Sequence, residues 1–570
     1  LRSRNVLSAR SDIRRAGFLL KKIRKTDVLD VGFSPEVGEA LTEMARYYAT
    51  SVGIVLSTLL PKVISDDPNI FLRKALSSKK DLGEHLPETL LLQMETEERF
   101  GQYRALVRQA FARGSSVIFI VPTHFDIDRA KEYLSKGIAE FVHSWTLKDK
   151  KELRKKTWLK AVADPHPILF ITTPAGIFLP RTDIEIIILE RENSRAYRTL
   201  TRPWIDFKTC IELWAKKTSN QIVLGDSVLS IQTLLREKNG EYGESALMRW
   251  RLPAVPTPLI DAKSKQNKNG RFEIFSEELK TLLYAAMAQD EPIFLFGARK
   301  GLAPSTVCGD CGTVLPCQNC GAGVVLHRHG EATVYICHAC GHKRESATTC
   351  GYCGSWKLIP LGIGTEEIAR QVRTLFPHRK VFVLDKDYAP TDTKAQAIVR
   401  KFQEEKGILV GTELVFYHLK HVSYSALVSV DALFSVPDFG VNERLFYLVS
   451  HLREMTRMES LVQTRNIGKQ ILAWAAQGNI IDFYQNEIAE RESLLYPPFS
   501  VFIKITVPKK EASRELLKLK EHFARFRPDI LKDSLVMRLP RATWPDSRLS
   551  QELALLPPHF SIKVDPDSIL

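Results

Sequence analysis

The sequence predicts an α/β protein with two tandem lobes, each built on a parallel β-sheet, and a cysteine-rich metal module inserted into the second lobe. Three observations support this fold class. Strands that are apolar throughout alternate with helical segments in two separate stretches of the chain. Eight of the nine cysteines form four C-x-x-C pairs within one short segment. At 570 residues, the chain is also too long for one hydrophobic core.

Composition favours a polyanionic partner. Lys and Arg outnumber Asp and Glu by 81 to 66, which gives a formal net charge of +15. No apolar run approaches the roughly 18 residues that a membrane span needs, so no membrane partner is predicted. The chain begins "LRSRNVLSAR", without an initiator Met and without the apolar core of a signal peptide. We therefore expect a cytoplasmic protein whose first residues are missing.

The N-terminal part, residues 1–65, is strongly basic and then helical. Residues 1–25 carry nine Lys or Arg against one acid, Asp12. The stretch "FSPEVGEALTEMARYYATSVGIVLSTLLP" has helical periodicity, with Ser34 as the predicted N-cap and Pro61 as the stop. Residues 66–88 are predicted to be a linker.

The first lobe is predicted over residues 89–237. Its strands are "SSVIFIVP", "HPILFITTP", "DIEIIILE" and "NQIVLGD", and its helices include "DIDRAKEYLSKGI" and "FKTCIELWAKKT". Cys210, in the second of these helices, is expected in the core. Residues 238–274 form a second linker, with "SKQNKNGR" as a disordered joint.

The second lobe is predicted over residues 275–304 and 358–495. It begins with "EPIFLFG" and resumes after the cysteine-rich segment with "LGIGTEEIARQVRTLF", "KVFVLD", "KGILVGTE" and "YSALVSV". The interruption, residues 305–357, is the metal module. Residues 496–570 form a small C-terminal domain.

The spacing of the cysteines predicts two nested zinc sites. Thiolates in a reducing compartment persist as metal ligands more readily than as disulfides, and Zn²⁺ takes four of them in a tetrahedron. Sixteen residues separate Cys320 from Cys337, which fits a zinc ribbon, whereas five separate Cys311 from Cys317. The inner site is then predicted to be Cys317, Cys320, Cys337 and Cys340. The outer site is predicted to be Cys308, Cys311, Cys350 and Cys353, so the cofactors are two Zn²⁺ ions.

Several motifs resemble the PriA family of primosomal replication-restart helicases, also called primosomal protein N-prime. They are "GARKGLAPSTVCGDCG" leading into the eight cysteines, "LGIGTEEI", "ILVGTE", "LFSVPDFGVNERLFYL", "FYQNEIAERESLLYPPFS" and the terminal "VDPDSIL". The resemblance covers most of the chain and implies two RecA-like helicase lobes with an inserted double zinc ribbon. It also implies that residues 1–65 are the remnant of an N-terminal DNA-binding domain, without the winged helix that follows it in the family.

The resemblance breaks at the nucleotide site of the first lobe. A phosphate-binding loop needs glycines, a Lys and a Ser or Thr hydroxyl. Before the helix predicted over "YRALVRQAFARG", the aligned stretch reads "QMETEERFGQY", which places Arg99 at the Lys and Phe100 at the hydroxyl. The family's Asp-Glu-Glu-His motif appears as "ERENS". The degenerate positions are Arg99, Phe100, Glu190, Arg191, Glu192 and Asn193, of which Glu190 and Glu192 retain carboxylates that suit a cation.

The corresponding motif of the second lobe, "HLREMTRM", is also altered. His451 takes the place of a Gln, and Met455 and Met458 take the places of two arginines that would sense the γ-phosphate. An alignment shifted by two residues recovers Arg453 or Arg457 instead. Loss of one such arginine lowers the rate by about 10³ to 10⁵. We therefore expect the binding and hydrolysis of ATP with Mg²⁺ to be impaired.

Three functions are compatible with these observations. The leading hypothesis is a DNA-binding protein of replication restart and primosome assembly, nucleoid-associated and without ATP hydrolysis, whose partners are forked or junction DNA and other restart proteins. The second is an active ATP-dependent 3′–5′ DNA helicase with a divergent nucleotide site. The third is a zinc-ribbon adaptor for RNA or transcription. DNA contacts are expected from the basic N-terminal residues Arg14, Arg15, Lys21, Lys22 and Lys25.

Overall fold

The computed structural model divides the chain into two compact units. The first comprises Leu1–Arg249 with Ile488–Ile569, and the second comprises Trp250–Glu487. The structure describes residues 35–60, 88–199, 201–252, 255–262, 274–297, 305–308, 313–319, 324–329, 332–337, 342–345, 349–361, 364–431, 433–435, 438–508, 512–531, 533–557 and 559–566. Among these residues, no helix is both long enough and apolar enough to cross a bilayer.

The first unit contains a seven-stranded sheet in which every pair of neighbouring strands is parallel. The strand order is β3-β4-β2-β5-β6-β1-β7. The strands are β1 (Thr89–Gln93), β2 (Ser116–Ile120), β3 (Val142–Trp145), β4 (Leu169–Thr172), β5 (Ile184–Glu190), β6 (Gln221–Asp226) and β7 (Gly243–Glu244). Strands β2 and β4 are buried along their whole length, which explains their unbroken apolar sequence.

Helices connect most of these strands, but β4 and β5 are joined by residues 173–183, whose only helical part is the 3-10 turn Pro174–Gly176. Two further helices precede the sheet, at the position of the single helical stretch predicted from the sequence. The helices are α1 (Pro35–Tyr47), α2 (Val52–Leu59), α3 (Thr96–Ala112), α4 (Phe125–Leu134), α5 (Lys151–Ala163), α6 (Phe207–Thr218) and α7 (Ile231–Lys238). Cys210 on α6 is fully buried, as expected. The predicted cap Ser34 lies outside the described residues.

The second unit contains a six-stranded sheet that is also parallel throughout. Its order is β15-β16-β9-β17-β18-β8. The strands are β8 (Leu259–Asp261), β9 (Ile293–Phe296), β15 (Val381–Leu384), β16 (Ile408–Gly411), β17 (Val422–Leu427) and β18 (Thr456–Thr464). Its helices are α8 (Glu277–Ala288), α9 (Thr365–Leu375), α10 (Asp392–Glu405), α11 (Val415–His418), α12 (Val441–Met455), α13 (Gln470–Gln477) and α14 (Ile480–Ser493), the last of which continues into the first unit.

The cysteine-rich insertion lies between β9 and α9. It forms a two-stranded and a three-stranded antiparallel sheet. The strands are β10 (Ser305–Cys308), β11 (Val324–His329), β12 (Ala332–Cys337), β13 (Lys343–Glu345) and β14 (Leu358–Leu361). Pairing of β10 with β14 joins the start of the insertion to its end, so the second lobe continues on either side. The predicted fold class, two RecA-like α/β lobes with a cysteine-rich insertion, is confirmed.

The C-terminal part of the first unit is a four-stranded antiparallel sheet with two helices. Its elements are β19 (Ser500–Thr506), α15 (Ala512–His522), β20 (Asp529–Leu531), β21 (Ser534–Pro540), α16 (Ser547–Ala554) and β22 (Ser561–Val564). Arg541 donates hydrogen bonds to both carboxylate oxygens of Asp565, at 2.7 and 3.0 Å. Tyr47, at the end of α1, donates to the same carboxylate at 2.7 Å. This cluster ties the N-terminal helix to the C-terminal sheet.

One expected element boundary was wrong, and one predicted linker contains two short strands. The helix expected to start at Tyr103 begins at Thr96, because the residues read as a remnant phosphate loop are helical. The stretch 238–274, expected to be a linker, contains β7 and β8, which pair with the first and second sheets respectively. Both strands are short and partly exposed, so they lack the apolar run that reveals a buried strand.

Candidate functional site

The connection between β1 and α3 is the place where a nucleotide-binding lobe holds phosphate. Here it contains only Met94 and Glu95, since β1 ends at Gln93 and α3 begins at Thr96. A phosphate-binding loop has at least five residues between its first glycine and its lysine. The first turn of α3 also carries Glu97 and Glu98, whose charges repel an anion at that helix end. This junction therefore has neither the length nor the charge of a phosphate cradle.

Arg99 fills the space beneath this junction. Its Nε and Nη2 atoms donate to the two carboxylate oxygens of Glu190 at 2.8 and 2.7 Å, and Nη1 donates to the carbonyl of Met94 at 2.6 Å. The side chains of Arg99 and Glu190 are 1% and 3% exposed. Burial lowers the pKa of Arg99, but the Glu190 carboxylate outweighs that effect and holds the pKa well above its ordinary value. The guanidinium is thus committed to a buried ion pair.

Tyr103 and Gly225 complete the setting of this pair. The hydroxyl of Tyr103 donates to Glu190 at 2.8 Å. Gly225 on β6 leaves room for that hydroxyl, because a Cβ atom at this position would lie 1.7 Å from it. Phe100 is 1% exposed and packs in the hydrophobic core of the lobe. Phe100, at the position where a phosphate-binding loop has the hydroxyl that binds Mg²⁺, is therefore part of the hydrophobic core.

The second carboxylate of "ERENS", Glu192, has its own cation. Lys208 on α6 donates to Glu192, and the backbone N–H of Ser230 donates to the other oxygen at 2.5 Å. Lys208 also donates to the hydroxyl of Thr233 at 2.6 Å. Burial lowers the pKa of Lys208, but the neighbouring carboxylates, Glu192 foremost, raise it above the ordinary value. Glu190 and Glu192 are therefore each paired with a cationic side chain of the protein itself.

Arg191 and Asn193 also point into this buried network. Arg191 has a left-handed backbone, with φ at 55°, and its Nη1 atom lies 3.3 Å from a carboxylate oxygen of Asp126. The backbone N–H of Asn193 donates to Asp226 at 3.2 Å, and its side-chain amide donates to the carbonyl of Val228 at 3.3 Å. These contacts hold the "ERENS" turn against the carboxyl ends of β5 and β6.

Asp226, at the end of β6, carries the most perturbed carboxyl of the network. It is fully buried, and burial raises its pKa to about 7; Arg99 opposes this rise, whereas Glu190 adds to it. The network contains three cations and four carboxyls when Asp126 and Asp226 are included. Protonation of Asp226 therefore makes the buried charges balance. Sequence analysis did not identify Asp226, Lys208 or Tyr103, because their signal is proximity in space rather than spacing along the chain.

The altered motif of the second lobe lies at the end of α12 and the start of β18. Arg453 is buried and donates to the carbonyl of Ala475, in the last turn of α13, at 3.1 Å. Burial lowers its pKa to about 10. Arg457 and Met458 are exposed, Met455 is buried, and the ring of His451 lies 4.2 Å from that of Tyr447. A shifted alignment recovers Arg453 or Arg457. Arg453 caps α13, a helix of its own unit.

Three of the predicted zinc ligands converge in the insertion. The sulfurs of Cys308, Cys350 and Cys353 all lie within 4.8 Å of one another, and those of Cys308 and Cys353 are 3.5 Å apart. That distance is too long for a disulfide of about 2.05 Å and close to the sulfur–sulfur edge of roughly 3.8 Å in a zinc–thiolate tetrahedron. These cysteines therefore suit a metal ion. Cys311, the predicted fourth ligand, lies outside the described residues.

Two cysteines of the other predicted site share one buried cluster. Cys317 and Cys337 pack together with Leu315, Val324 and Tyr335. The backbone N–H of Asn319 donates to the sulfur of Cys317 at 3.4 Å. Cys320 and Cys340 lie outside the described residues. The assignment of two four-cysteine sets thus stays a prediction.

The predicted DNA-contacting residues Arg14, Arg15, Lys21, Lys22 and Lys25 all lie outside the described residues as well. The structure therefore adds nothing to that prediction.

Comparison with curated proteins gives relatives named replication restart protein PriA. The Haemophilus influenzae protein is 27% identical over 413 residues, which cover 70% of this chain and 55% of the relative. The Bacillus subtilis protein is 25% identical over 72% of this chain and 52% of the relative. The Rickettsia conorii protein is 24% identical over 84% of this chain and 77% of the relative. The chain thus spans about half the length of the first two. No protein-family model matches the sequence.

Comparison with solved structures gives matches of low similarity. Saccharomyces cerevisiae Dbp5 bound to RNA and ADP BeF3 is 10% identical, with a TM-score of 0.40, and the match covers 82% of this chain and 98% of that one. The DUF1998 helicase MrfA bound to DNA is also 10% identical with a TM-score of 0.40, over 79% and 54% of the two chains.

Proposed function

We propose that this chain, a divergent relative of replication restart protein PriA, is a zinc-containing DNA-binding protein of replication restart that does not hydrolyse ATP. Its substrates would be forked DNA or junctions between single-stranded and duplex DNA. Its partners would be other restart proteins. The chain matches about half the length of the H. influenzae and B. subtilis relatives, so these activities are inferred for the part of the protein that the sequence covers.

One structural observation supports the proposal that the chain does not hydrolyse ATP. The buried Arg99–Glu190 pair occupies the junction of β1 and α3, where the connection is only two residues long. Phosphoryl transfer depends almost wholly on positioning and on charges that stabilise the transferring group. A triphosphate at this junction would have to break a buried ion pair, meet the carboxylates of Glu97 and Glu98, and do without a glycine-rich cradle.

DNA binding is supported by the net charge and by the relatives. A formal charge of +15 favours contacts to phosphate through counterion release, which depends on salt and little on base sequence. The curated relatives are named for replication restart. The charge suits any nucleic acid, and the naming of the relatives for replication restart favours a DNA partner over an RNA or transcription adaptor.

The cysteine-rich insertion would hold two Zn²⁺ ions. Four thiolates per ion is the donor set of structural zinc, which supplies folding free energy rather than chemistry. In the predicted outer site the ligands come from β10 and from the turn before β14, the two ends of the insertion. Zinc there would close the module at its base.

The test is an ATPase and strand-displacement assay on the purified chain, with and without forked DNA. The H. influenzae relative, run in parallel, serves as the positive control. We expect salt-sensitive binding of forked DNA with no DNA-stimulated turnover and no unwinding. Turnover that requires DNA and disappears in Glu190→Gln, while circular dichroism shows that this variant is folded, would instead establish an active helicase with a divergent nucleotide site. Binding of RNA without binding of DNA would favour the adaptor function.

A further inference from the structure

Helix α5 and the three residues before it form the most basic described segment of the first lobe. Residues 148–160, "KDKKELRKKTWLK", contain seven Lys or Arg and two acids. We call these residues the α5 basic segment. Its composition alone does not set it apart from an ordinary solvated helix, so its orientation and its neighbours decide what it can bind.

One face of α5 packs on the lobe and the other carries lysines. Trp158, Ala161 and Val162 are buried. Lys156 and Lys160 are exposed on the opposite side, one helical turn or about 6 Å apart. Leu153, on the same side, is 50% exposed. The buried face fixes the direction in which the lysines point.

The segment lies at the outer edge of the seven-stranded sheet. Strand β3, which precedes α5, is the last strand on that side. Lys148, Lys150 and Lys151 follow its carboxyl end, the edge at which parallel sheets bind their ligands. The ammonium group of Lys148 also lies 4.8 Å from the ring centre of Phe125, which follows β2 at the same edge. The basic residues therefore continue from the helix onto the ligand-binding edge.

Three exposed lysines of this segment have no carboxylate partner among the described residues. In the described part of the chain, no carboxylate oxygen lies within 4.0 Å of the ammonium groups of Lys151, Lys156 or Lys160. Other basic helical residues of the same unit are paired: Lys217 lies 3.3 Å from Glu43, and Arg236 lies 2.7 Å from Glu212. The lysines at the start of α5 also oppose the helix dipole, which favours anions there.

We propose that the α5 basic segment is a phosphate-contacting surface for DNA on the first lobe, separate from the basic N-terminal residues. This inference rests on the proposed DNA-binding function and assigns residues to it. The distance from Lys151 to Lys160 along the helix is about 14 Å, which spans roughly four phosphates of one strand. Lysine is a mobile point charge, so the contacts follow the backbone and carry no sequence preference.

The experiment compares two variants with the same loss of charge. The first is Lys151→Gln/Lys156→Gln/Lys160→Gln. The control is Arg514→Gln/Lys518→Gln/Lys520→Gln, which neutralises three exposed cations on α15 of the same unit. Affinity for forked DNA is measured by fluorescence anisotropy from 50 to 200 mM salt, and circular dichroism confirms that both variants are folded.

We expect the α5 variant to bind roughly tenfold or more weakly and to lose about 2 to 3 from the slope of log K against log salt, at about 0.7 to 0.9 per phosphate contact. The control should keep the wild-type slope. If the α5 triple variant is unfolded, the single variant Lys156→Gln should still lower the slope by about 0.7 to 0.9.

Three outcomes overturn the inference. An unchanged slope in the α5 variant, with wild-type protein that binds DNA, removes α5 from the interface and leaves the proposed function intact. An equal loss of affinity and of slope in both variants would show that the lower net charge, and not the position of the lysines on α5, causes the effect. Loss of binding to vesicles of anionic phospholipid, without a change for DNA, assigns the surface to a membrane instead. Wild-type protein that fails to bind DNA contradicts the proposed function itself.

Discussion

Arg99 and Glu190 form a two-point ion pair in the first lobe, with both nitrogen–oxygen distances between 2.7 and 2.8 Å. The pair joins the first turn of α3 to the carboxyl end of β5. In a nucleotide-binding lobe these two places hold the phosphate and its metal ion. Here the protein supplies both charges itself, so the lobe reaches electrostatic balance at this point without a ligand.

Arg99→Ala is expected to destabilise the protein by about 3 to 5 kcal/mol, because it leaves the Glu190 carboxylate buried without its cation. The measurement is the free energy of unfolding from urea denaturation of the full chain. Arg249→Ala is the matched control, since its ion pair with Glu98 on the same helix is exposed and should matter little. Equal stability of the two variants would contradict the role given to the buried pair.

Removal of one cysteine from each predicted site should release one zinc ion. Wild-type protein is expected to contain two zinc ions per chain, and both Cys350→Ser and Cys337→Ser are expected to contain one. Cys210→Ser is the control, because this cysteine lies in the core of the first lobe and should leave the zinc content at two. Metal content is measured by elemental analysis of protein purified without added zinc. One zinc or none in the wild-type chain would exclude the nested pair of sites.

Charge reversal in the N-terminal segment tests the first predicted DNA contact. With Arg14, Arg15, Lys21, Lys22 and Lys25 all changed to Glu, affinity for forked DNA should fall and the salt dependence should become shallower, since each lost phosphate contact removes about 0.7 to 0.9 from the slope. A control variant in which Arg replaces Lys and Lys replaces Arg at the same five positions should bind DNA like the wild type. Unchanged affinity of the Glu variant would remove these residues from the DNA interface.

The pH dependence of stability should reveal the proton of Asp226. Its pKa is raised from 3.8 to about 7 in the folded protein, so between these pH values the folded state holds a proton that the unfolded state has lost. Stability from this group therefore falls as the pH rises from about 4 to 7, by up to tenfold per pH unit in the unfolding equilibrium constant, and is constant above that range. Asp226→Asn should flatten this part of the profile. An identical profile in wild type and variant would show that Asp226 does not take up the proton.

Local sequence patterns are enough to predict the architecture of this protein. The apolar runs "VIFI" and "IIIL" indicate strands that are buried on both faces, which is typical of parallel strands covered by helices. The C-x-x-C pairs place the insertion between β9 and α9, and their spacing predicts how its ends meet. Both features are local in the chain. A run of apolar residues specifies a buried strand, and cysteines at a fixed spacing specify the insertion.

The network in place of the nucleotide site could not be predicted from the sequence, because its partners meet only in the folded chain. The stretch "ETEERF" shows that the glycines, the Lys and the hydroxyl of a phosphate-binding loop are missing. It does not show that Arg99 pairs with a residue 91 positions away on β5, or that Lys208 on α6 donates to Glu192. The structure also decided that Thr96 begins the helix and that Arg453 caps α13 within its own unit. Such pairings depend on which side chains the folded sheet brings into a space that excludes water, and burial there makes an unpaired charge too costly to keep.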